Sequence, residues 1–247
     1  MIINTIPVNE YIAIREISFH ELKNITKMLL TDEHNYRVDV INQICKQVVI
    51  KGNCKNVLDI VFTITTLRNT IFGNNLSYKK NGTEYTDDLT KIFNNKISFN
   101  PAVFKSGDYK ISFIMPSRIP KDEYDILTAC LYKINDDVVQ CFTDKQKGML
   151  LDNLPIPLKS LYTFLSKEAE KQKIVVSKNI EFSLYDSSAL DFLTSILYED
   201  LEQLLKFEFL VKQRLNMTAD DLKTYTYPEL KYFINVLNKQ EQDENDS

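Results

Sequence analysis

The 247-residue chain has no tryptophan, two histidines, four cysteines and five glycines, and each scarcity removes a class of chemistry. The glycines are isolated, so neither a phosphate-cradling loop nor a dinucleotide-binding fingerprint can be built. His20 falls in a first helical turn and His34 in a polar connection. Neither sits in a nucleophile or zinc motif, and both read as surface residues. Cys45, Cys54, Cys130 and Cys141 are separated by 9, 76 and 11 residues. That is no zinc spacing and no tight disulfide pattern, so they read as reduced core thiols. No apolar run approaches the roughly 18–20 residues that span a bilayer. The opening "MIINTIPVNEYIAI" lacks a basic lead and a cleavage site, so the chain is expected to stay in the cytoplasm.

What the chain does have is a 44% hydrophobic, 26% charged composition that suits an ordered globular protein. Its net charge of −4 argues against a nucleic-acid partner. From Asp186 onward there are 13 acidic and 6 basic residues, several of them in the closing "EQDENDS". That tail reads as solvated and disordered, with docking to a basic partner as the alternative.

The stretch "KNVLDIVFTITTLRNTIFGN" is rich in β-branched residues, yet its pattern is helical. Val57, Ile60, Ile64, Leu67 and Ile71 step by 3 and 4, the seam of an amphipathic helix. Asp59, Thr63, Thr66 and Thr70 follow the opposite side. Asn56 suits the N-cap, Asp59 the positive helix start and Gly73 the C′ position. Propensity differences are below roughly 1 kcal/mol per residue, whereas each buried stripe residue contributes about 1.5–3 kcal/mol. Packing outvotes propensity, and the spacing predicts a buried helix.

Around it the N-terminal section reads as a strand, "EYIAIREI", and further helices. Ser18 to Glu21 forms a capping box ahead of Leu22, Ile25 and Leu29. A second helix is expected from about Tyr36 to Val49, with Gly52 beyond its end. In the centre, Asn81-Gly82 signals a hairpin, and "KISFN", "DYKISFIMP" and "DVVQCF" look like strands. A helix is expected after Pro120 through "KDEYDILTACLYKI", and others near Asp144 to Leu151 and Leu158 to Ser166. "KIVVSKNIEFSLY" reads as a hairpin. "SALDFLTSILYEDLEQLLKFEFLVKQRL" is too apolar for one exposed helix and should split or lie deeply packed. "TADD" at Thr218 to Asp221 resembles another capping box, and Pro228 opens a last helix burying Leu230, Phe233 and Leu237. The fold class is therefore α+β, mostly helical. One compact unit over 1–240 is expected, with a helical section at 1–76, a mixed section at 77–185, a helical section at 186–240 and a disordered tail at 241–247.

The search for a catalytic constellation finds only carboxylate doublets, Asp87-Asp88 and Asp136-Asp137, which read as helix or turn starts. No catalytic residue, metal ligand or cofactor is expected. Arg68, at the edge of an apolar helix, reads as a structural ion pair or a capped carbonyl, with a partner contact as the alternative. The 13 tyrosines and 14 phenylalanines lack basic interleaving and suit a core and a protein interface better than nucleic-acid stacking.

The order of these elements resembles a known family. "IREISFHELKNITKMLL" followed by "INQICKQVVIKGNCKNVLDIVFTITTLRNTIFGNNL" looks like the N-terminal half of the T-even phage baseplate hub assembly proteins. There a charged strand leads into a helix carrying a Phe, a charge and a Lys, matched by Phe19, Glu21 and Lys23. A segment of the form "FDI…LR…G" follows, matched by Leu58, Asp59, Ile60, Leu67, Arg68 and Gly73. "DYKISFIMPSR" is similar to the family's strand ending in proline. "LNMTADDLKTYTYPELKYFINVL" is similar to its closing motif, in which Pro228 and Glu229 would open the last helix. Some relatives carry central cysteine pairs; here "KKNGTEY" stands there, with no pair. The resemblance implies a chaperone-like factor that binds other baseplate hub proteins and promotes hub assembly in the host cytoplasm. The alternative it implies is a permanent hub subunit in the virion baseplate. The absence of a fibrous or glycine-rich signature favours the assembly factor. Self-association is a further option. Phe207, Phe209, Tyr232 and Phe233 are the candidate partner-binding anchors, because the C-terminal helices carry more apolar side chains than a small lobe readily buries. The competing view is that these rings complete the core.

Overall fold

The structure, a computed structural model, describes residues 4–31, 33–95, 97, 100–198 and 201–245. Strands β1 (Thr5–Pro7) and β2 (Ala13–Arg15) lead into helices α1 (Phe19–Leu29) and α2 (His34–Val48), then β3 (Val49–Lys51) and α3 (Val57–Phe72). A hairpin of β4 (Asn75–Lys80) and β5 (Thr83–Asp88) follows, then β6 (Ala102–Ser106), β7 (Tyr109–Phe113), α4 (Glu123–Cys130), β8 (Leu131–Ile134) and β9 (Asp137–Val138). The rest comprises α5 (Asp144–Asp152), α6 (Leu158–Glu170), β10 (Lys173–Val175), β11 (Glu181–Ser183), α7 (Ser188–Leu197), α8 (Leu201–Leu215) and α9 (Tyr227–Asn245). The fold is α+β and mostly helical, with small antiparallel sheets.

The chain forms two compact units rather than the expected single one. The first gathers Met1–Asn53, Thr63–Asn75 and Thr194–Ser247; the second gathers Cys54–Phe62 and Leu76–Leu193. The sequence pattern points to continuous sections. Non-local packing instead joins the N- and C-terminal helices in one unit and divides α3 between the two.

In the first unit, β1, β2 and β3 pair antiparallel in that order. The Ser18 capping box is present, with the Glu21 amide donating to Ser18 and the Ser18 amide to Glu21, and Leu22, Ile25 and Leu29 are buried behind it. Helix α2 buries Ile41, Ile44, Cys45 and Val48. Gly52 adopts φ +74°, and a Cβ there would lie 2.1 Å from the Tyr11 carbonyl oxygen, so only glycine fits this approach. Helix α9 runs through Asn245, so Glu241 to Asn245 are helical rather than disordered. Arg214 on α8 accounts for part of this, since its guanidinium pairs with Glu241 at 2.7 Å. In the first three turns of α9, Leu230 and Ile234 are buried, while Phe233 and Leu237 are only half-buried.

The second unit is built on an antiparallel sheet in the order β6-β7-β8-β9. The expected strand in "DYKISFIMP" is β7, but its neighbours differ from expectation. Leu131 to Ile134, read as helix, leave α4 after Cys130 and pair with β7 as β8. Asp122, not Pro120, starts α4, its carboxylate accepting from the Asp125 amide. "DVVQCF" contributes only the two residues of β9, and "KISFN" falls largely outside the described residues. The Asn81-Gly82 turn has both residues at positive φ, 53° and 80°, as a type I′ hairpin requires. Tyr78 stacks on Tyr85 across that hairpin at 5.6 Å. The "KIVVSKNIEFSLY" hairpin is present as β10 and β11.

The seam of α3 is buried throughout: Val57, Ile60, Ile64, Leu67 and Ile71 are all inside. Asp59, Thr63, Thr65 and Arg68 are buried too, whereas Thr66 and Thr70 on the polar side are half-buried. All four cysteines are thiols; Cys45 and Cys130 are buried, but Cys54 is half-buried and Cys141 exposed, so these two depart from the expected core position. No described helix is long and apolar enough to cross a membrane.

Candidate functional site

Among the described residues, no three His, Cys, Asp or Glu side chains cluster as metal ligands would. The carboxylates that do gather are already committed. Arg118 forms ion pairs with both Asp125 and Asp144, and Asp88 caps the 3-10 turn at Leu89–Asn94 through the Thr90 amide. Asp87 accepts hydrogen bonds from Tyr78 and Ser177.

The residues matched to the hub-assembly pattern mostly meet in the first unit. Phe19, at the start of α1, is fully buried. Its ring stacks on Tyr227 at 5.9 Å and meets Phe207 edge-on at 5.7 Å. Tyr227 also contacts Phe207 at 5.0 Å and Phe72 at 5.8 Å, so it is the centre of a four-ring cluster drawn from α1, α3, α8 and α9. Sequence reasoning missed Tyr227; its position just before Pro228 was the available signal. The Phe19 amide donates to the Tyr225 carbonyl at 2.8 Å, tying α1 to the turn before α9. That turn holds a further capping box, in which Glu229 accepts from the Thr226 amide at 2.7 Å and the Glu229 amide donates to the Thr226 hydroxyl. Pro228 follows as a helix-start residue without the amide that such a position leaves unused.

Lys23 of α1 pairs with Glu208 of α8, and both side chains are only 12% exposed. Glu208 also accepts from Lys212 at 2.7 Å. Burial pushes the Glu208 carboxyl up, but hydrogen bonds from Lys212 and Lys23 outweigh it and hold the group below its ordinary 4.5. A carboxylate with a lowered folded value stabilises the fold above its unfolded value and loses that contribution as the pH falls through the folded value. Glu208→Gln should therefore destabilise the protein by about 1–3 kcal/mol at neutral pH. Denaturant titrations should show the gap to wild type closing as the pH drops below about 4.5; a gap independent of pH would contradict this role.

Arg68 caps carbonyls. Its guanidinium donates to the Gly73 carbonyl and, at 2.7 Å, to that of Asn75, and it lies 5.6 Å over the Phe72 ring. Gly73 turns the chain with φ +83° directly after α3. Arg68 thus satisfies acceptors that the end of α3 leaves open. Arg68→Ala should cost about 1.5–3 kcal/mol, the value of hydrogen bonds to a charged donor. Lysine should recover only part of it, because an ammonium lacks the planar fork that reaches two carbonyls. Thermal unfolding of the two variants checks this; an unchanged midpoint in Arg68→Ala would remove the capping role. Asp59 does its work in the second unit, where its carboxylate accepts from the Lys55 amide at 2.8 Å and its own amide donates to Asn56. It closes the start of α3, as the sequence predicts.

The four candidate anchors divide evenly. Phe207 belongs to the ring cluster, and Phe233 packs edge-on against Tyr225 at 5.6 Å. Phe209 on α8 and Tyr232 on α9 are 69% and 66% exposed. Leu205, one turn before Phe209, is exposed as well, a neighbour that the i, i+4 spacing could have revealed. A cavity of about 820 Å³ in the same unit is lined by residues including Arg15, His20, Glu21, Lys223, Tyr225 and Glu229. Its charged groups are engaged among themselves or nearby: Arg15 pairs with Glu21, Lys223 with Asp220, and Glu229 caps α9.

Comparison with protein-family models, with curated proteins and with solved structures finds no match for this chain.

Proposed function

We propose that the chain is an assembly factor for a phage tail baseplate hub, binding hub proteins in the host cytoplasm without catalysing a covalent reaction. The resemblance at Phe19, Lys23, Asp59, Arg68, Gly73, Pro228 and Glu229 supplies the family. The observation that carries the mechanism is the exposure of Phe209 and Tyr232 on helices whose other rings, Phe207, Tyr227 and Phe233, pack against neighbouring rings. Large exposed rings on a well-anchored helix pair suit a protein-docking surface. In this reading the motif residues other than Asp59 fasten the first unit, and the two rings present hub subunits to one another until a later subunit displaces the factor.

Co-expression with the hub proteins tests the docking step. A hub protein should co-purify with the wild-type chain and be lost from the folded variant Phe209→Glu/Tyr232→Glu. Equal recovery with that variant would remove this surface from the mechanism.

A further inference from the structure

The outer row of α8 has a property beyond exposure. Glu202, Leu205, Phe209 and Lys212 step by 3, 4 and 3 and so share one face. The buried Leu204 and Val211 lie about 120–140° around the helix from the middle of that row at 100° per residue, which leaves the outer face open. Leu205 and Phe209 are exposed, and Glu202 and Lys212 bracket them with opposite charge.

This row is self-complementary under a two-fold axis. When two copies of α8 lie antiparallel about position 207, Leu205 of each meets Phe209 of the other. Glu202 of each then meets Lys212 of the other. A parallel arrangement sets Glu against Glu and Lys against Lys, and is disfavoured. Heptad seams with apolar centres and charged ends select orientation in this way, and an isologous contact uses the same patch on both partners. We propose that the outer face of α8 is a self-association surface whose occupant is the same helix of a second copy, antiparallel and two-fold symmetric. Three turns of helix bury less than the about 1,200 Å² of a standard interface, so the dimer is weak and concentration-dependent. Glu202 and Lys212 already pair with Lys206 and Glu208 within their own helix at 2.7 Å each. The charges therefore set orientation more than affinity, and the apolar pair supplies the attraction.

Sedimentation equilibrium of the purified chain alone tests this without any hub protein, so its outcome is independent of the proposed function. Wild type should show a reversible monomer–dimer equilibrium. Phe209→Ser, at a surface position that leaves the fold intact by circular dichroism, should remain monomeric throughout. Glu202→Lys places like charges at both ends of the antiparallel pair and should weaken the dimer about tenfold, equivalent to roughly 1.4 kcal/mol. A wild-type chain that stays monomeric at its highest soluble concentration would overturn the proposal. So would a dimer indifferent to Phe209→Ser, or one whose affinity Glu202→Lys leaves unchanged, since a parallel pair loses nothing when both glutamates become lysines.

Discussion

Phe19→Ala should be the most damaging single substitution in the first unit, destabilising it by about 3–5 kcal/mol. The ring is fully buried and touches Tyr227 and Phe207 at once. Removing it opens a cavity where side chains of α1, α8 and α9 meet. Aromatic pairs add about 0.5–1.5 kcal/mol beyond their buried area, so Phe19→Leu should recover much of the volume but not that increment. Since two compact units need not unfold together, the change should appear as an early transition belonging to one unit. With no tryptophan in the chain, tyrosine fluorescence follows it, and Tyr227 at the centre of the cluster is the natural reporter. A Phe19→Ala protein with wild-type unfolding would show that the ring cluster does not hold the unit together.

The second large effect is expected at Ile64→Ala, about 2–5 kcal/mol from lost packing and the cavity left behind. Ile64 is fully buried midway along α3. Ile64→Val removes a single methylene and should cost about 0.5–1.5 kcal/mol, and the graded pair separates packing from any general loss of helix. Urea unfolding gives both values. A neutral Ile64→Ala would mean that the α3 seam does not pack as its spacing implies.

Much of the fold was legible where local chemistry decides it. The capping boxes read at Ser18 and Thr218 need only residues three apart, and both form; the box at Thr226 has the same spacing and was missed. Asn81-Gly82 fixes its turn because it tolerates positive φ twice. What local pattern leaves open is decided by distant partners. Leu131 to Ile134 have helical spacing with α4, yet β7 offers them a ladder, and that pairing ends the helix. The division of α3 between two units depends on contacts that no short window contains. The candidate anchors follow the same logic. Helix α8 has apolar residues on both sides, so spacing alone does not say whether Leu204 and Val211 or Leu205 and Phe209 face inward. Packing against α1 and α9 selects the former. Arg68 was legible as a structural residue, and its capped carbonyls were among the readings the sequence allowed.

The contribution of the matched residues is thus architectural: Phe19, Lys23, Arg68, Gly73, Pro228 and Glu229 fasten helix ends and helix pairs of the first unit. That leaves the exposed rings of α8 and α9 as the surface on which the proposed activity rests. Such a factor acts by binding and leaving, so its mark is a requirement for assembly without a place in the product. Quantitative mass spectrometry of baseplate hubs assembled with and without the chain reads both at once. The account predicts that hub yield falls sharply when the chain is omitted, and that finished hubs contain it far below one copy each. Stoichiometric retention in the finished hub, or a yield that does not depend on the chain, would contradict it.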